Sequence, residues 1–253
     1  MHAPYGQQVR PHGGVKRFSV AVGLLDQLAV GLAADHIAGS RHYLHRDLLH
    51  PAGPHIYAWQ DEHPELNLFL DGSHAEPSPE GYDIDFRFTY GDYVATENAI
   101  ELFRDCVVPV CSPWLLRPDV LLNKPADLLA YPLLSIDWLP KFASPPSWRD
   151  WFKAQQVDCE SIRDGYRVYS LSAMAIQAAL AGQGVVLAQY SMVADALSDG
   201  RLIRPFARAL PLPSAYFLVG AKGAFDKAHC RDFHRWIVAR GREQMVINQR
   251  LLA

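Results

Sequence analysis

The sequence predicts an α/β protein. Three observations carry that prediction. Short apolar runs alternate with amphipathic stretches along most of the chain. Residues 166–187 read as strand, polar turn, apolar helix, glycine turn, strand. Apolar residues make up 49% of 253 residues, enough for a sizeable core in one large domain or two small ones.

The unit at 166–187 is the clearest local signal. Ala173 to Ala181 are small and apolar nearly all round, which predicts a helix buried against a sheet. Ser170 and Ser172 stand where a helix cap would, accepting backbone N–H bonds. Gly182 and Gly184 stop the helix, and Val185–Leu187 restarts a strand. A helix start of this kind leaves free N–H groups that favour an anion.

The other elements follow in chain order. Residues 1–15, rich in Pro, Gly and His, read as a mobile tail. Arg17–Val22 alternates as a strand, Leu24–Ile37 and Pro54–His63 read as helices, and Asn67–Leu70 as a short strand. Asp85–Tyr90 is a strand with Phe86, Phe88 and Tyr90 on one face. Phe103–Cys111 reads as one strand, Pro113–Leu116 and Lys124–Leu129 as short helices, and Leu133–Asp137 as a strand. Trp148–Gln155 is a helix whose Trp148, Trp151 and Phe152 suit core packing. After the 166–187 unit come a helix at Met192–Leu197, a strand at Ala215–Gly220 and an amphipathic helix at Ala228–Met245. Alternation of this kind predicts mostly parallel sheets.

Composition excludes several functions. The formal net charge of −3 argues against a surface built to hold nucleic acid. No run of 18 apolar residues spans a membrane, and the apolar stretch Phe18–Ala34 fits a signal peptide poorly. Cysteines 106, 111, 159 and 230 contain no Cys-x-x-Cys pair. Cys106 and Cys111, on opposite faces of one strand, cannot easily bridge, so a reduced cytoplasmic protein is expected. His42, His45, His50 and His55 lack the ligand spacing of structural zinc, so neither metal nor cofactor is expected. No Gly-x-Ser-x-Gly is present, and Cys111 sits in an apolar strand without a base, so no enzyme is expected.

Seven landmarks then appear in order. They are Asp85 to Asp92, Val108 to Pro113, Leu133-Leu134, Trp148 to Phe152, the helix with Gly182-Gln183-Gly184, Gly200 to Phe206 with Tyr216 to Val219, and Phe233 to Ile237. In that order they resemble the effector-binding domain of LysR-type transcriptional regulators, over about residues 80–240. The likeness is strongest to regulators of glycine cleavage and of β-lactamase induction. Thr89 stands where that family usually has Arg, and Arg87 where it usually has a small residue.

The resemblance implies two Rossmann-like subdomains of the type 2 periplasmic-binding-protein kind. Residues 16–92 plus 210–245 would form the first and 93–209 the second, with crossings near Gly91–Val94 and Pro205–Ser214. A small effector, an amino acid or other small anion, would bind in the cleft between them. Thr89, Tyr90, Gly91 and Asp92 end a strand at the implied hinge, and Ser170 and Ser172 lie at the helix start. Gln189 and Tyr190 follow the Val185–Leu187 strand and are the remaining candidates, or simply begin the next helix. The family also implies a homodimer. Residues 1–50 hold five Lys or Arg and no basic two-helix pattern. The expectation is therefore a sensor that reaches DNA only through a helix-turn-helix supplied elsewhere. A solute-binding protein of a transport system and a small hydrolase are the rival classes.

Overall fold

The computed structural model describes residues 16–22, 59–71, 86–91, 99–116, 122–138, 145–158, 167–221 and 223–253, with the backbone alone for 16–22, 67–71, 87, 89 and 91. Two five-stranded sheets organise them. The first contains β1 (Lys16–Val22), β2 (Leu66–Asp71), β3 (Phe86–Gly91), β4 (Ala99–Phe103) and β10 (Ala215–Gly220), in the order β2-β1-β3-β10-β4. The second contains β5 (Cys106–Val110), β6 (Leu133–Ile136), β7 (Val168–Tyr169), β8 (Val185–Gln189) and β9 (Leu210–Pro211), in the order β7-β6-β8-β5-β9. Beside helical residues at 59–62, the helices with described bounds are α1 (Trp148–Ala154), α2 (Ser172–Leu180), α3 (Tyr190–Ser198) and α4 (Ala228–Leu252).

Both sheets follow one plan. Three strands run parallel, and a strand arriving from the other sheet inserts antiparallel beside the third. In the first sheet β10 pairs antiparallel with β3 and β4; in the second, β5 pairs antiparallel with β8 and β9. The sheets are therefore mixed, not mostly parallel. A strand that enters from the far lobe starts at the end where the parallel strands finish, so it must run against them.

The stretch 103–111 is two strands, not one. Ala99–Phe103, of which the sequence assigns only Phe103 to a strand, pairs with β10 in the first sheet. The chain leaves that sheet through Arg104 and Asp105, and β5 begins at Cys106 in the second. The first crossing is thus at 104–105 and not at Gly91–Val94. The apolar residues that flank Arg104 and Asp105, Leu102-Phe103 before and Cys106 to Val110 after, hide the break from any pattern of period two. The return crossing, 212–214, falls within the expected Pro205–Ser214.

β5 is buried along its whole length and its side chains alternate between two cores. Cys106, Val108 and Val110 join Ala175, Ile176 and Ala179 of α2 and Val193 and Ala196 of α3. Val107 and Cys111 face Trp148, Trp151 and Phe152 of α1, which confirms that aromatic group as core. Pro109 in such a strand would ordinarily cost a ladder bond. Here it shares an edge with Cys111, whose N–H goes to Ile203, while β9 has already ended opposite Val107. Its missing N–H falls in the gap.

The first lobe packs Trp59, Phe86, Phe88 and Phe233 edge to face and tilted, with ring centroids 5.1 to 6.5 Å apart. α2 ends in a Schellman arrangement: Gly182, at φ +69, donates to the Ala179 carbonyl and Gln183 to that of Ala178. Gly184 answers a different need, because a Cβ there would sit 2.5 Å from the Pro132 carbonyl oxygen. α4 runs on past Met245 to Leu252. The expected tail at 1–15, the helix at Leu24–Ile37, Asp92, Cys159 and the four histidines at 42–55 lie outside the described residues.

Candidate functional site

Strand register fixes where a cleft can form. Gly91, the last residue of β3, pairs with Ala215, the first of β10, and Phe103, the last of β4, pairs with Tyr216. In the second sheet Gln189 ends β8 opposite Val107 at the start of β5, and Cys106 pairs with Pro211 at the end of β9. Both crossings therefore join the carboxyl ends of the parallel strands of both sheets. Open α/β sheets bind ligands at such ends.

Three residues meet there across the lobes. Gln189 Nε2 donates to the Tyr216 hydroxyl over 2.9 Å. The Tyr90 and Tyr216 rings meet edge to face with centroids 5.3 Å apart. Tyr90 Oη accepts from the Ser214 N–H at 2.9 Å, and its ring packs against the cores of both lobes. Gln189 is fully buried, yet its Oε1 has no hydrogen-bond partner. Tyr216 enters the sequence reading only as part of the landmark Tyr216 to Val219; within the apolar strand Tyr-Phe-Leu-Val nothing separates it from a core aromatic.

The serines do not cap α2. Leu171 occupies the cap position with extended backbone and no side-chain bond. Ser170 is exposed and lies one residue too early; Ser172 is already the first helical residue, where its hydroxyl no longer reaches the N–H groups of the first turn. Ser172 is completely buried and its Oγ has no hydrogen-bond partner. β7 feeds α2 directly, so Ser172 lies at the same end of the second sheet as Gln189. Tyr190 instead opens α3 and packs on the Cys106–Val110 core, away from the Tyr90–Tyr216 pair. Thr89 and Gly91 end β3 beside Tyr90.

A second polar group lies at the first crossing. Asp105 is wholly buried; Oδ1 accepts from the Cys106 N–H at 2.8 Å and from Asn248 Nδ2 at 3.3 Å. Its other oxygen accepts from the Ser191 hydroxyl and from the Ser191 N–H at 3.4 Å. Burial outweighs these donors and raises the carboxyl from its ordinary 3.8 to about 6. The neighbouring thiols are pushed up too, Cys106 to about 12 and Cys111 to about 11, again by burial first. Such thiols are poor nucleophiles. Among the described residues no cluster of three His, Cys, Asp or Glu side chains is arranged to hold a metal ion, and no helix is long and apolar enough to cross a membrane.

Two lobes, each a mixed sheet, joined twice at the carboxyl ends of their strands define a two-lobed effector-binding domain. Residues 49–242 match the LysR substrate binding domain, and the chain belongs to that family of transcriptional regulators. It is 28% identical over 193 residues to the glycine cleavage system transcriptional activator of Escherichia coli K12, covering 76% of this chain and 61% of that protein. It is also 28% identical over 176 residues to the transcriptional activator AmpR of Enterobacter cloacae, covering 70% of this chain and 57% of AmpR. The chain thus spans about three-fifths of the length of these relatives. The AmpR effector binding domain from Citrobacter freundii superimposes with a TM-score of 0.62 at 22% identity, over 90% of this chain and 99% of that one. The effector domain of AmpR from Pseudomonas aeruginosa gives 0.60 at 21%, over 91% and 98%. These solved structures share the fold.

Proposed function

We propose that this chain senses a small anionic or zwitterionic effector, such as an amino acid, in the cleft between its lobes, and performs no chemistry on it. The observation that supports this most is the pair of buried polar atoms without partners, Ser172 Oγ and Gln189 Oε1, at one end of the second sheet. Buried polar atoms are nearly always satisfied, so two orphans at a strand-end cleft favour a bound polar group. Ser172 donates and the Gln189 carbonyl accepts, which suits a ligand carrying both an acceptor and a donor. The N–H groups of the first turn of α2 favour the acceptor as a carboxylate. Thr89, Tyr90 and Gly91 at the end of β3 would form the opposing wall with Asp92 as a further candidate, and Ser170 adjoins the start of α2, whereas Tyr190, packed on the second-lobe core, is set aside.

A ligand that binds one lobe arrangement better than another shifts the balance between them. The family supports a homodimer as the unit that transmits this shift, working in the cytoplasm and reaching DNA only if a helix-turn-helix is supplied elsewhere. Amino acids and related zwitterions are screened by melting shift, where a ligand at about a hundredfold excess over Kd stabilises by about 2.7 kcal/mol. On the compound that shifts the wild type, Ser172→Ala is expected to lose most of the shift. The same change removes an unsatisfied buried hydroxyl, so the free protein should melt higher than wild type, by about 1 kcal/mol. A full shift in Ser172→Ala would place the ligand elsewhere.

A further inference from the structure

We propose that Asp105, Ser191 and Asn248 form a latch that fixes the angle between the two lobes, with α4 as its bar. The proposal concerns the free protein and stands whatever ligand the cleft takes.

α4 belongs to both lobes. Cys230, Phe233 and Ile237 in its first half are buried in the core of the first. At Gly241 the helix lies directly on the chain that is about to cross: a Cβ there would come within 2.9 Å of the Leu102 carbonyl oxygen. Its last residues, Leu251 and Leu252, pack against the Cys106–Ala209 core of the second lobe. A helix of 25 residues is about 37 Å long, enough to bridge the two.

Asn248 is where the bar meets the crossing. It is buried, and Nδ2 donates to the Arg104 carbonyl at 2.9 Å and to Asp105 Oδ1 at 3.3 Å, while Oδ1 accepts from Gln244 at 2.8 Å. Asp105 reaches three further elements. Its carboxylate holds the Ser191 hydroxyl on α3 and the Cys106 N–H on β5, and its carbonyl accepts from the Leu212 N–H in the return crossing at 2.9 Å. Both crossings, α3 and α4 thus converge on one residue. Rotating one lobe against the other must either break these bonds or drag Leu251 and Leu252 out of the second lobe.

The surroundings also make the latch sensitive to protons. Among the described residues Asp105 has no ion pair; α3 presents it with Ser191 and α4 with Asn248, itself held by Gln244, all three uncharged. The ionisable groups around it are Cys106, whose thiol stays neutral, Arg204, whose charge opposes that of Asp105 at that thiol, and Arg104, which is turned to the Pro213 carbonyl at 2.7 Å. Closed, the carboxyl titrates at about 6; in an open arrangement that wets it, it returns toward 3.8. The closed form therefore holds its proton more tightly, so the latch strengthens as pH falls through about 6 and weakens as pH rises through it.

Amide hydrogen exchange on the full chain tests this, from about pH 5 to about pH 7.5, corrected for intrinsic rates. In N248A, exchange should rise about tenfold or more together at residues 103–107, 189–193 and 210–214, with residues 216–219 of β10 unchanged. In wild type these three segments should exchange faster on the alkaline side of pH 6, and D105N, which keeps the shape and removes the charge, should abolish that step. S191A removes one donor alone and carries the test if N248A does not fold. No rise at the crossings, a rise spread evenly over both sheets, or a pH step that persists in D105N would each overturn the latch.

Discussion

Replacing Asp105 by Asn should make the protein more stable at neutral pH although it removes the acceptor of a buried hydrogen bond. The folded carboxyl titrates at about 6 and an unfolded one at 3.8. A difference of about two units corresponds to about 3 kcal/mol lost by folding with the group ionised. Because the folded state keeps its proton to higher pH, this stability is present in acid and lost as pH rises through about 6. Asn keeps the oxygen that serves Cys106 and Asn248 but sets an NH₂ against Ser191, whose hydroxyl must turn to accept and whose N–H loses its long 3.4 Å bond; together these cost about 1 kcal/mol. The variant should therefore gain about 2 kcal/mol at about pH 7.5 and lose its advantage in acid. Of the titration, about 2 kcal/mol falls between about pH 4.5 and about pH 7.5, a swing of roughly 4 to 8 °C in the difference between the two melting temperatures. Asp150 and Asp199, lowered chiefly by hydrogen bonds, and His234, lowered by desolvation, shape both curves alike and cancel in that difference. Paired thermal melts across this range decide the matter. A difference that stays constant with pH would refute the argument that an uncompensated carboxylate is buried here.

Gly241→Ala should cost about 1 to 3 kcal/mol in denaturant unfolding, because the new methyl meets backbone atoms of Leu102 that cannot swing aside; an unchanged midpoint would mean that α4 does not lie against the crossing. Cys106 and Cys111, buried and with thiols raised to about 12 and about 11, should resist iodoacetamide at about pH 8 in the native protein and react on unfolding. Mass mapping of the labelled peptides reads this, and rapid native labelling of either would contradict the packing of β5.

Much of this protein was settled by short-range pattern. The strands at 17–22, 67–70, 133–136 and 215–220, the aromatic face of 86–90 and the Trp148 helix all emerged where side-chain period and turn residues placed them. Gly182 closed α2 as expected by its left-handed backbone, whereas Gly184 is required by a close approach to Pro132 and not by the helix end. The order of the landmarks supplied the two-lobed class. What pattern could not supply was partnership. Phe103–Cys111 reads as one apolar strand because period two is blind to which sheet a residue joins, and the charged pair Arg104-Asp105 was the mark of the crossing. Ser172 has a cap's chemistry, but the extended backbone at Leu171 moved the cap one residue and left its hydroxyl buried without a partner. Tyr216 and Asn248 look like ordinary strand and helix residues until residues 27 and 144 positions away are brought against them. Local periodicity chooses helix or strand, because it depends on which face of a segment must leave water. Which buried polar group finds a partner depends on contacts between distant segments, and only the folded chain decides them.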